Sequence, residues 1–245
     1  MKKILLLLFS ITIVIGCSKP GQCIESSGNE ITKEYSLPSF NKIKVYKGIN
    51  LIISQGAVQK IEIKTGENLI SNIAVSVTDN VLVVKDNTTC NWVREYGQTT
   101  VYVTTPILTD IICKTEKLIS SNGILKFPSL RLEAIDLFDG AGTGDFNLQI
   151  DNDIFLIESN NVSNFYISGK TKDFTANFYE GNGRIEAANL KCNNLMVFHR
   201  GSNDMIVNPQ IKMSGKMYST GNIQCRNYLV INEILALYQG QVIFN

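Results

Sequence analysis

The chain has 245 residues, of which 44% are hydrophobic and 18% are charged, and its formal net charge is +1. This balance provides no strongly basic face for a phosphate backbone, so nucleic acid is not an expected partner. The apolar content is sufficient for a substantial core, and the length suits one elongated domain or two small ones.

The start of the chain has the features of a bacterial export signal. The basic residues Lys2 and Lys3 precede an apolar run, and the small residue Gly16 comes directly before Cys17. The run is shorter than the roughly 20 apolar residues that a membrane-spanning helix needs. The segment that ends at Cys17 resembles a bacterial lipobox, which implies that residues 1–16 are a signal peptide and that Cys17 receives the lipid. The alternative is an ordinary secretory signal in which the cysteine is accidental.

The residues after Cys17 bear on location. By analogy with lipoprotein sorting, Ser18 in place of an Asp favours the outer membrane of a two-membrane bacterium. The stretch 18–28 has no acidic run of the kind that some bacteria use for surface export, which leaves the facing side open. Residues 17–34 are polar and are predicted to form a lipidated tether, so the membrane is an expected partner through the N-terminal lipid.

The rest of the sequence predicts an all-β domain over residues 35–245. Short segments such as Val101-Tyr102-Val103 alternate in polarity and are rich in β-branched residues, and turn signals such as Lys47-Gly48 separate them. Short strands at close spacing are typical of all-β proteins. Residues 35–110 are expected to form irregular first coils, and residues 111–245 are expected to form regular repeats.

The second half of the sequence repeats with a period of about 20 residues, each time as a strand followed by a polar corner. A constant period of this length is the signature of a solenoid. At about 3.3 Å per residue, one repeat makes a flattened coil that stacks on the previous coil at about 4.8 Å. The sequence therefore predicts a parallel β-helix, with an antiparallel β-sandwich of evenly spaced strands as the alternative. The corners begin at Phe138, Glu158, Tyr179, His199, Tyr218 and Tyr238.

Equivalent positions in stacked coils lie above one another, so aromatic residues at this period are expected to stack. Five corner residues are predicted to form an interior ladder, with the single histidine as one rung. The same argument favours the core over a sugar-binding surface for two further tyrosines, Tyr166 and Tyr228. The ladder residues are Phe138, Tyr179, His199, Tyr218 and Tyr238.

Several short motifs resemble the auto-transporter adhesin family with a head GIN domain, which is common among Bacteroidetes lipoproteins. The resemblance spans most of residues 35–225. It implies a stacked β-helical fold similar in general architecture to pectin-lyase solenoids, without an established active site, and a role in adhesion. The motifs that carry it are Phe40–Ile43, Gly48–Asn50, Gly66–Ile70, Asp79–Val84 and Val101–Leu108.

Five cysteines remain besides Cys17, and an exported compartment permits disulfides. Because five is an odd number, at least one must stay free or be buried as a small hydrophobic residue. Cys90 is a candidate partner for Cys23, although spacing alone does not establish the pairing. None of the cysteines has a CxxC spacing or a nearby histidine, so no metal site is expected.

A polar insertion between predicted strands contains Trp92 and Tyr96. Binding residues lie on loops more often than in cores. These two aromatic residues are therefore candidates for a contact surface.

No catalytic residue is predicted. The nucleophile-elbow pattern is absent, and His199 is better explained as a core residue than as a general base. Stacking could bring two carboxylates close enough for a glycosidase pair or a calcium site, but solvated corner charges are the simpler interpretation. The carboxylates of the repeats are Asp136, Asp139, Asp145, Asp151, Asp153, Glu158, Glu180 and Asp204.

The sequence thus predicts a lipid-anchored envelope β-solenoid with a non-enzymatic interaction role. The family resemblance supplies the adhesion component of this hypothesis. No cofactor is expected, and the expected partner is an unidentified protein or glycan at a surface. The alternative is a solenoid that binds or degrades polysaccharide.

Overall fold

The computed structural model describes residues 26–88, 97–137, 140, 142–229 and 231–245. These residues form eighteen β-strands, and their helical structure is a 3-10 turn over Ile70–Asn72. The first nine strands are β1 Glu30–Tyr35, β2 Lys42–Tyr46, β3 Ile49–Gln55, β4 Lys60–Gly66, β5 Ile73–Thr78, β6 Val81–Asp86, β7 Thr99–Thr105, β8 Asp110–Lys114 and β9 Ile119–Leu125. The others are β10 Ser129–Ala134, β11 Phe146–Asp151, β12 Ile154–Ser159, β13 Asn164–Phe178, β14 Arg184–His199, β15 Met205–Met217, β16 Ile223–Cys225, β17 Ile231–Ala236 and β18 Val242–Phe244.

Fifteen of the strands form two parallel stacks, and the remaining three, β1, β4 and β5, pair antiparallel with a neighbouring strand. The first stack runs β6, β2, β8, β10, β12, then the second parts of β13, β14 and β15, then β17. The second stack runs β7, β3, β9, β11, then the first parts of β13, β14 and β15, then β16 and β18. The predicted β-solenoid is confirmed, and the alternative of an antiparallel sandwich is wrong.

The strand register confirms the predicted coil length. Partners in the second stack follow one another at intervals of 18 to 20 residues, because each coil adds one turn of chain before the next strand pairs. This series is Phe146, Phe165, Ile185, Met205, Ile223 and Val242.

Antiparallel strands close the N-terminal end of the solenoid. β4 pairs antiparallel with β7, and β1 pairs antiparallel with β4, which places β1 at the edge. Glu30 of β1 forms an ion pair with Lys64 at 2.8 Å, and charged residues at an edge disfavour pairing with another chain. The predicted tether includes residues 30–34, but in the structure these residues form most of β1, since each pairs with a residue of β4.

The core lies between the two stacks and contains ladders of aromatic side chains. Phe146 and Phe165 are stacked with ring centroids 4.9 Å apart and planes 13° apart. Phe155 and Phe174 form a tilted pair in the first stack, with ring centroids 5.2 Å apart and planes 34° apart. Each of these side chains is almost completely buried, and such burial stabilises the fold by about 1.5–3 kcal/mol per residue.

The predicted interior ladder is wrong for its tyrosines, whose side chains face outward instead of inward. His199 is completely buried and packs edge-on against Phe178, with the two rings 6.1 Å apart. Tyr179, Tyr218 and Tyr238 instead lie at the surface. For Tyr179 and Tyr218 the preceding residue, Phe178 or Met217, takes the inward position because side chains alternate along a strand. Phe138, the remaining predicted rung, lies outside the described residues.

Candidate functional site

The residues with a predicted anchoring, disulfide or contact role are Cys17, Cys23, Cys90, Trp92 and Tyr96. All five lie outside the described residues, so each role remains a prediction. The candidate site is therefore built from surface features of the coils.

The three cysteines in the described part of the chain are free and buried. Burial raises the pKa of Cys113 to about 11 and that of Cys192 to about 12, and it also raises the pKa of Cys225. A thiol with a raised pKa is a poor nucleophile at neutral pH. These residues act as small hydrophobic side chains. This agrees with the expectation that, of five cysteines, at least one stays free or is buried as a small hydrophobic residue.

The polar corners connect one coil to the next. The backbone N–H and the side-chain amide of Asn164 both donate to Asp145 Oδ1, each at 3.0 Å. One further pair repeats this arrangement, in which the N–H of Asn222 donates to Asp204 Oδ1 at 2.9 Å. Burial raises the pKa of Asp204, but the hydrogen bonds from Asn222 and Gln224 outweigh it, so the net shift is downward. The prediction of solvated corner charges is therefore wrong for these two carboxylates, which have a structural role.

His199 is not placed for acid–base chemistry. Neither ring nitrogen has a hydrogen-bond partner of good geometry among the described residues. Burial lowers its pKa to about 4, against smaller upward contributions from the Asn203 backbone and the Asp204 charge. The ring is therefore neutral at physiological pH and inaccessible to a substrate. The interpretation of this residue as part of the core is confirmed.

A carboxylate cluster that the sequence did not indicate lies on the outer surface of the first stack, here called the lateral face. Arg131 Nη1 is 2.7 Å from Glu133 Oε2 and 3.4 Å from Asp110 Oδ1. Arg131 Nη2 is 2.5 Å from Glu158 Oε2. The register of β8, β10 and β12 brings Asp110 and Glu158 to Arg131, since they are 21 and 27 positions away along the chain on either side. Glu133 is two residues from Arg131 on β10.

The electrostatics of this cluster differ from those of a glycosidase. Burial raises the pKa of Glu158, but the hydrogen bonds from Tyr179 and Arg131 and the charge of Arg131 produce a net lowering. A glycosidase acid needs a carboxyl whose pKa is raised. The arrangement is instead an ion-pair ladder that ties three coils together.

An aromatic row continues from this ladder along the lateral face. We define the aromatic row as Tyr179, Phe198 and Tyr218, which lie on three successive coils. The ring of Phe198 lies 5.9 Å from that of Tyr179 and 5.6 Å from that of Tyr218. The hydroxyl of Tyr179 donates to Glu158 Oε1 at 2.5 Å, which joins the row to the ion-pair ladder.

The aromatic row is exposed, although sequence reasoning favoured the core for its tyrosines. Tyr179 is 36% exposed and Tyr218 is 40% exposed, while Phe198 is half-buried. Tyr166 is 45% exposed on the opposite face, and Tyr228 and Tyr238 are exposed near the last coil. A contiguous exposed aromatic group is unusual on a soluble surface and marks an interaction site more often than isolated residues do.

A cleft of about 440 Å³ lies near the first coil, lined in part by Tyr46, Lys85 and Lys114. Lys85 Nζ lies 4.2 Å from the centre of the Tyr46 ring, a cation–π contact. The ammonium of Lys114 donates to the carbonyls of Ile135 and Gly140. The Lys114 ammonium therefore joins two chain segments at the cleft, which is a structural role.

The described ranges contain neither a cluster of metal-ligating side chains nor a helix that could span a membrane. No group of three or more His, Cys, Asp or Glu side chains in these ranges could hold a metal ion. Within the same residues, no helix is both long enough and apolar enough to cross a membrane.

The fold is an all-β solenoid, and its lateral face carries an exposed aromatic row. The family model described as "Putative auto-transporter adhesin, head GIN domain" matches residues 39–228, and the chain belongs to this family. No curated protein sequence is a significant match to the chain.

Solved structures share the fold at low sequence identity. A "putative adhesin" from Bacteroides fragilis superposes with a TM-score of 0.80 at 21% identity, covering 90% of this chain and 100% of that one. A "putative adhesin" from Parabacteroides merdae gives a TM-score of 0.65 at 18% identity, covering 90% and 98%. A "putative lipid binding protein" from Parabacteroides distasonis gives 0.64 at 14% identity, covering 88% and 97%. At these identities the likeness shows a shared fold.

Proposed function

We propose that this chain is a non-enzymatic adhesin of the cell envelope, anchored by a lipid on Cys17, that binds a surface partner through its lateral face. Family membership supports the adhesive role and an envelope location. The signal-like residues before Cys17 and the polar residues after it support the anchor, and Ser18 supports the outer membrane.

The observation that carries the proposal is the position of the aromatic row relative to the end at which the chain enters the fold. The backbone N–H of Glu67 donates to the carbonyl of Asn29 at 2.8 Å, so the first described residues lie at the β1 edge. The coils then stack away from that edge. The row lies at the C-terminal ends of three strands, with Phe198 in β14 and with Tyr179 and Tyr218 directly after β13 and β15. A tether at one end would leave the lateral face of these coils free for a partner.

The electrostatics of Glu158 disfavour the polysaccharide-degrading alternative. Its carboxyl is the one in the Arg131 cluster that contacts the aromatic row, and its pKa is lowered. A carboxyl that Tyr179 and Arg131 hold in its charged form is poorly suited to be the proton donor that glycoside hydrolysis needs.

The anchoring experiment compares cells that produce the full chain with cells that produce Cys17→Ser. Cys23→Ser is the matched control because it removes a nearby cysteine and keeps the lipobox. The readouts are incorporation of an alkyne-labelled palmitate, membrane fractionation, and adhesion to mucin, to fibronectin and to a layer of the same bacteria.

Wild-type and Cys23→Ser chains should carry label, fractionate with membranes and increase adhesion to at least one surface. The Cys17→Ser chain should lose all three properties. Label on Cys17→Ser would contradict the anchor, and wild-type adhesion no greater than that of vector-only cells would contradict the adhesive role.

A further inference from the structure

The outward side chains of the lateral face form a grid in which aromatic and basic residues alternate. Lys216 of β15 pairs in register with Phe198 of β14. In the neighbouring row, the N–H groups of Arg200 and Tyr218 each donate to a carbonyl one coil back, at 2.8 Å. Arg200 therefore lies between Tyr179 and Tyr218 along the stack, and each basic residue is next to an aromatic one.

The two cations of this grid have exposed side chains. Nearby cations are neutralised, since Arg131 pairs with Glu158 and Lys212 pairs with Glu233 at 2.6 Å. By contrast, neither Arg200 nor Lys216 forms an ion pair with any residue in the described ranges. Two positive charges beside an aromatic surface are therefore available to an anionic ligand.

The aromatic row is held in position before a ligand binds. The hydroxyl of Tyr179 donates to Glu158, and the guanidinium of Arg131 holds the other oxygen of that carboxylate. Phe198 packs against both tyrosines. Because these rings are already ordered, binding loses less side-chain entropy than it would with mobile rings.

We propose that the grid of Tyr179, Phe198, Arg200, Lys216 and Tyr218 binds an acidic glycan, a chain of pyranose rings that carry carboxylates. The inference rests on the proposed adhesive function, for which it names the class of ligand.

The chemistry of such a glycan matches the grid in two respects. The apolar faces of the sugar rings pack on the aromatic side chains, and the carboxylates pair with the guanidinium and ammonium groups.

The spacing of the coils also suits a glycan. Coils repeat at about 4.8 Å, a distance comparable with the length of one sugar unit, so a glycan along the stack meets a new coil at each sugar. A general polyanion is a poorer match, because the net charge of the chain is only +1.

The binding experiment uses the full chain purified in detergent micelles. The probes are oligogalacturonate, a hyaluronan oligosaccharide and a sialylated oligosaccharide, with the neutral methyl ester of oligogalacturonate for comparison. Affinity is measured by calorimetry at two salt concentrations, because paired charges weaken as salt rises.

At least one acidic probe should bind to the wild-type chain. Phe198→Ala and Tyr218→Ala should each weaken binding by about tenfold or more. Arg200→Gln should weaken binding by about fivefold and reduce its dependence on salt. Glu180→Gln should strengthen binding, because Glu180 is an exposed carboxylate next to Tyr179.

Matched controls separate the grid from general effects of substitution. Tyr166→Ala removes a tyrosine of similar exposure from the opposite face, and Arg226→Gln removes an exposed arginine after β16. Both controls should bind as the wild-type chain does.

Three outcomes would overturn the inference. They are no binding of any acidic probe, equal binding of the acid and its methyl ester, and equal losses in the control and grid variants. Cell adhesion that needs Tyr218 without any binding of an acidic probe would also overturn it and would indicate a protein partner. In that last case the proposed adhesive function stands.

Discussion

The ring of His199 packs edge-on against Phe178 of the preceding coil, with centroids 6.1 Å apart and planes at 72°. The histidine thus extends a ladder in which Phe178 also lies 5.8 Å from Phe165. A titratable ring therefore occupies an apolar position, and it is neutral because burial lowers its pKa to about 4.

This contact predicts that stability depends on pH through His199. The pKa in the folded chain, about 4, lies below the ordinary value of 6.5, so the unfolded chain takes up the proton first as the pH falls. The neutral His199 ring makes its full contribution to the unfolding free energy above pH 6.5. This contribution decreases as the pH falls from 6.5 to 4, and below pH 4 it changes no further. His199→Leu should therefore reduce the loss of unfolding free energy between pH 7.5 and pH 4.5 by about 2 kcal/mol.

Urea denaturation at the two pH values measures this effect. Phe178→Leu is the control, because it disturbs the same ladder without removing a titratable group. The same pH dependence in His199→Leu and in the wild-type chain would contradict the explanation.

Two glycines with left-handed backbone angles should differ in their tolerance of alanine. Gly215 has φ +129°, and a Cβ there would lie 1.9 Å from the carbonyl oxygen of Val197 in the adjacent coil. Gly123 has φ +90°, and a Cβ there would have no neighbour within 4 Å. Gly215→Ala should lower the unfolding free energy by more than about 3 kcal/mol, because it combines backbone strain with a clash. Gly123→Ala has only the strain and should cost about 1 kcal/mol. Equal costs in urea denaturation would show that coil spacing does not limit residue size at Gly215.

Truncation of two adjacent residues on β13 should reduce stability to very different extents. Phe165 is completely buried and stacks on Phe146, whereas Tyr166 points outward. Phe165→Ala should lower the unfolding free energy by about 3–5 kcal/mol, and Tyr166→Ala should change it by less than about 1 kcal/mol. Chemical denaturation of both variants measures the difference, and a larger cost for Tyr166→Ala would contradict the inward and outward assignment.

The buried cysteines should resist modification in the folded chain. Cys113, Cys192 and Cys225 are buried, and their raised pKa values leave little thiolate at pH 8. Iodoacetamide followed by peptide mass mapping should find all three unmodified in the native chain and modified in urea. Native labelling at any of them comparable with that in urea would contradict their burial.

The period of the sequence was sufficient to predict the fold, but it did not fix which of two neighbouring aromatic residues faces inward. Phe178 is followed by Tyr179, and Phe198 is followed by His199, so the two corners contain aromatic pairs in different phase. A shift of one residue along a strand moves a side chain to the other face. The residues of the corners were therefore compatible with two arrangements, an interior ladder of tyrosines and an exposed aromatic row. Only the strand register shows that the row is exposed.

The cluster around Arg131 could not be predicted for a different reason. Glu158 joins the cluster only because β10 pairs with β12, where Ser129 pairs with Ile154, 25 positions further along the chain. That interval is longer than the regular period, because a longer connection interrupts the repeat. The residues of β12 that lie beside those of β10 therefore could not be identified by adding the regular period of about 20 residues.

Adhesion by cells with an altered lateral face tests the central claim most directly. Cells that produce the full chain are compared with cells that produce Phe198→Ala/Tyr218→Ala or Tyr166→Ala, at equal amounts of protein in the membrane fraction. Tyr166→Ala cells should adhere as wild-type cells do, and the double variant should adhere no better than cells without the chain. Undiminished adhesion by the double variant would contradict the claim that the lateral face binds the partner.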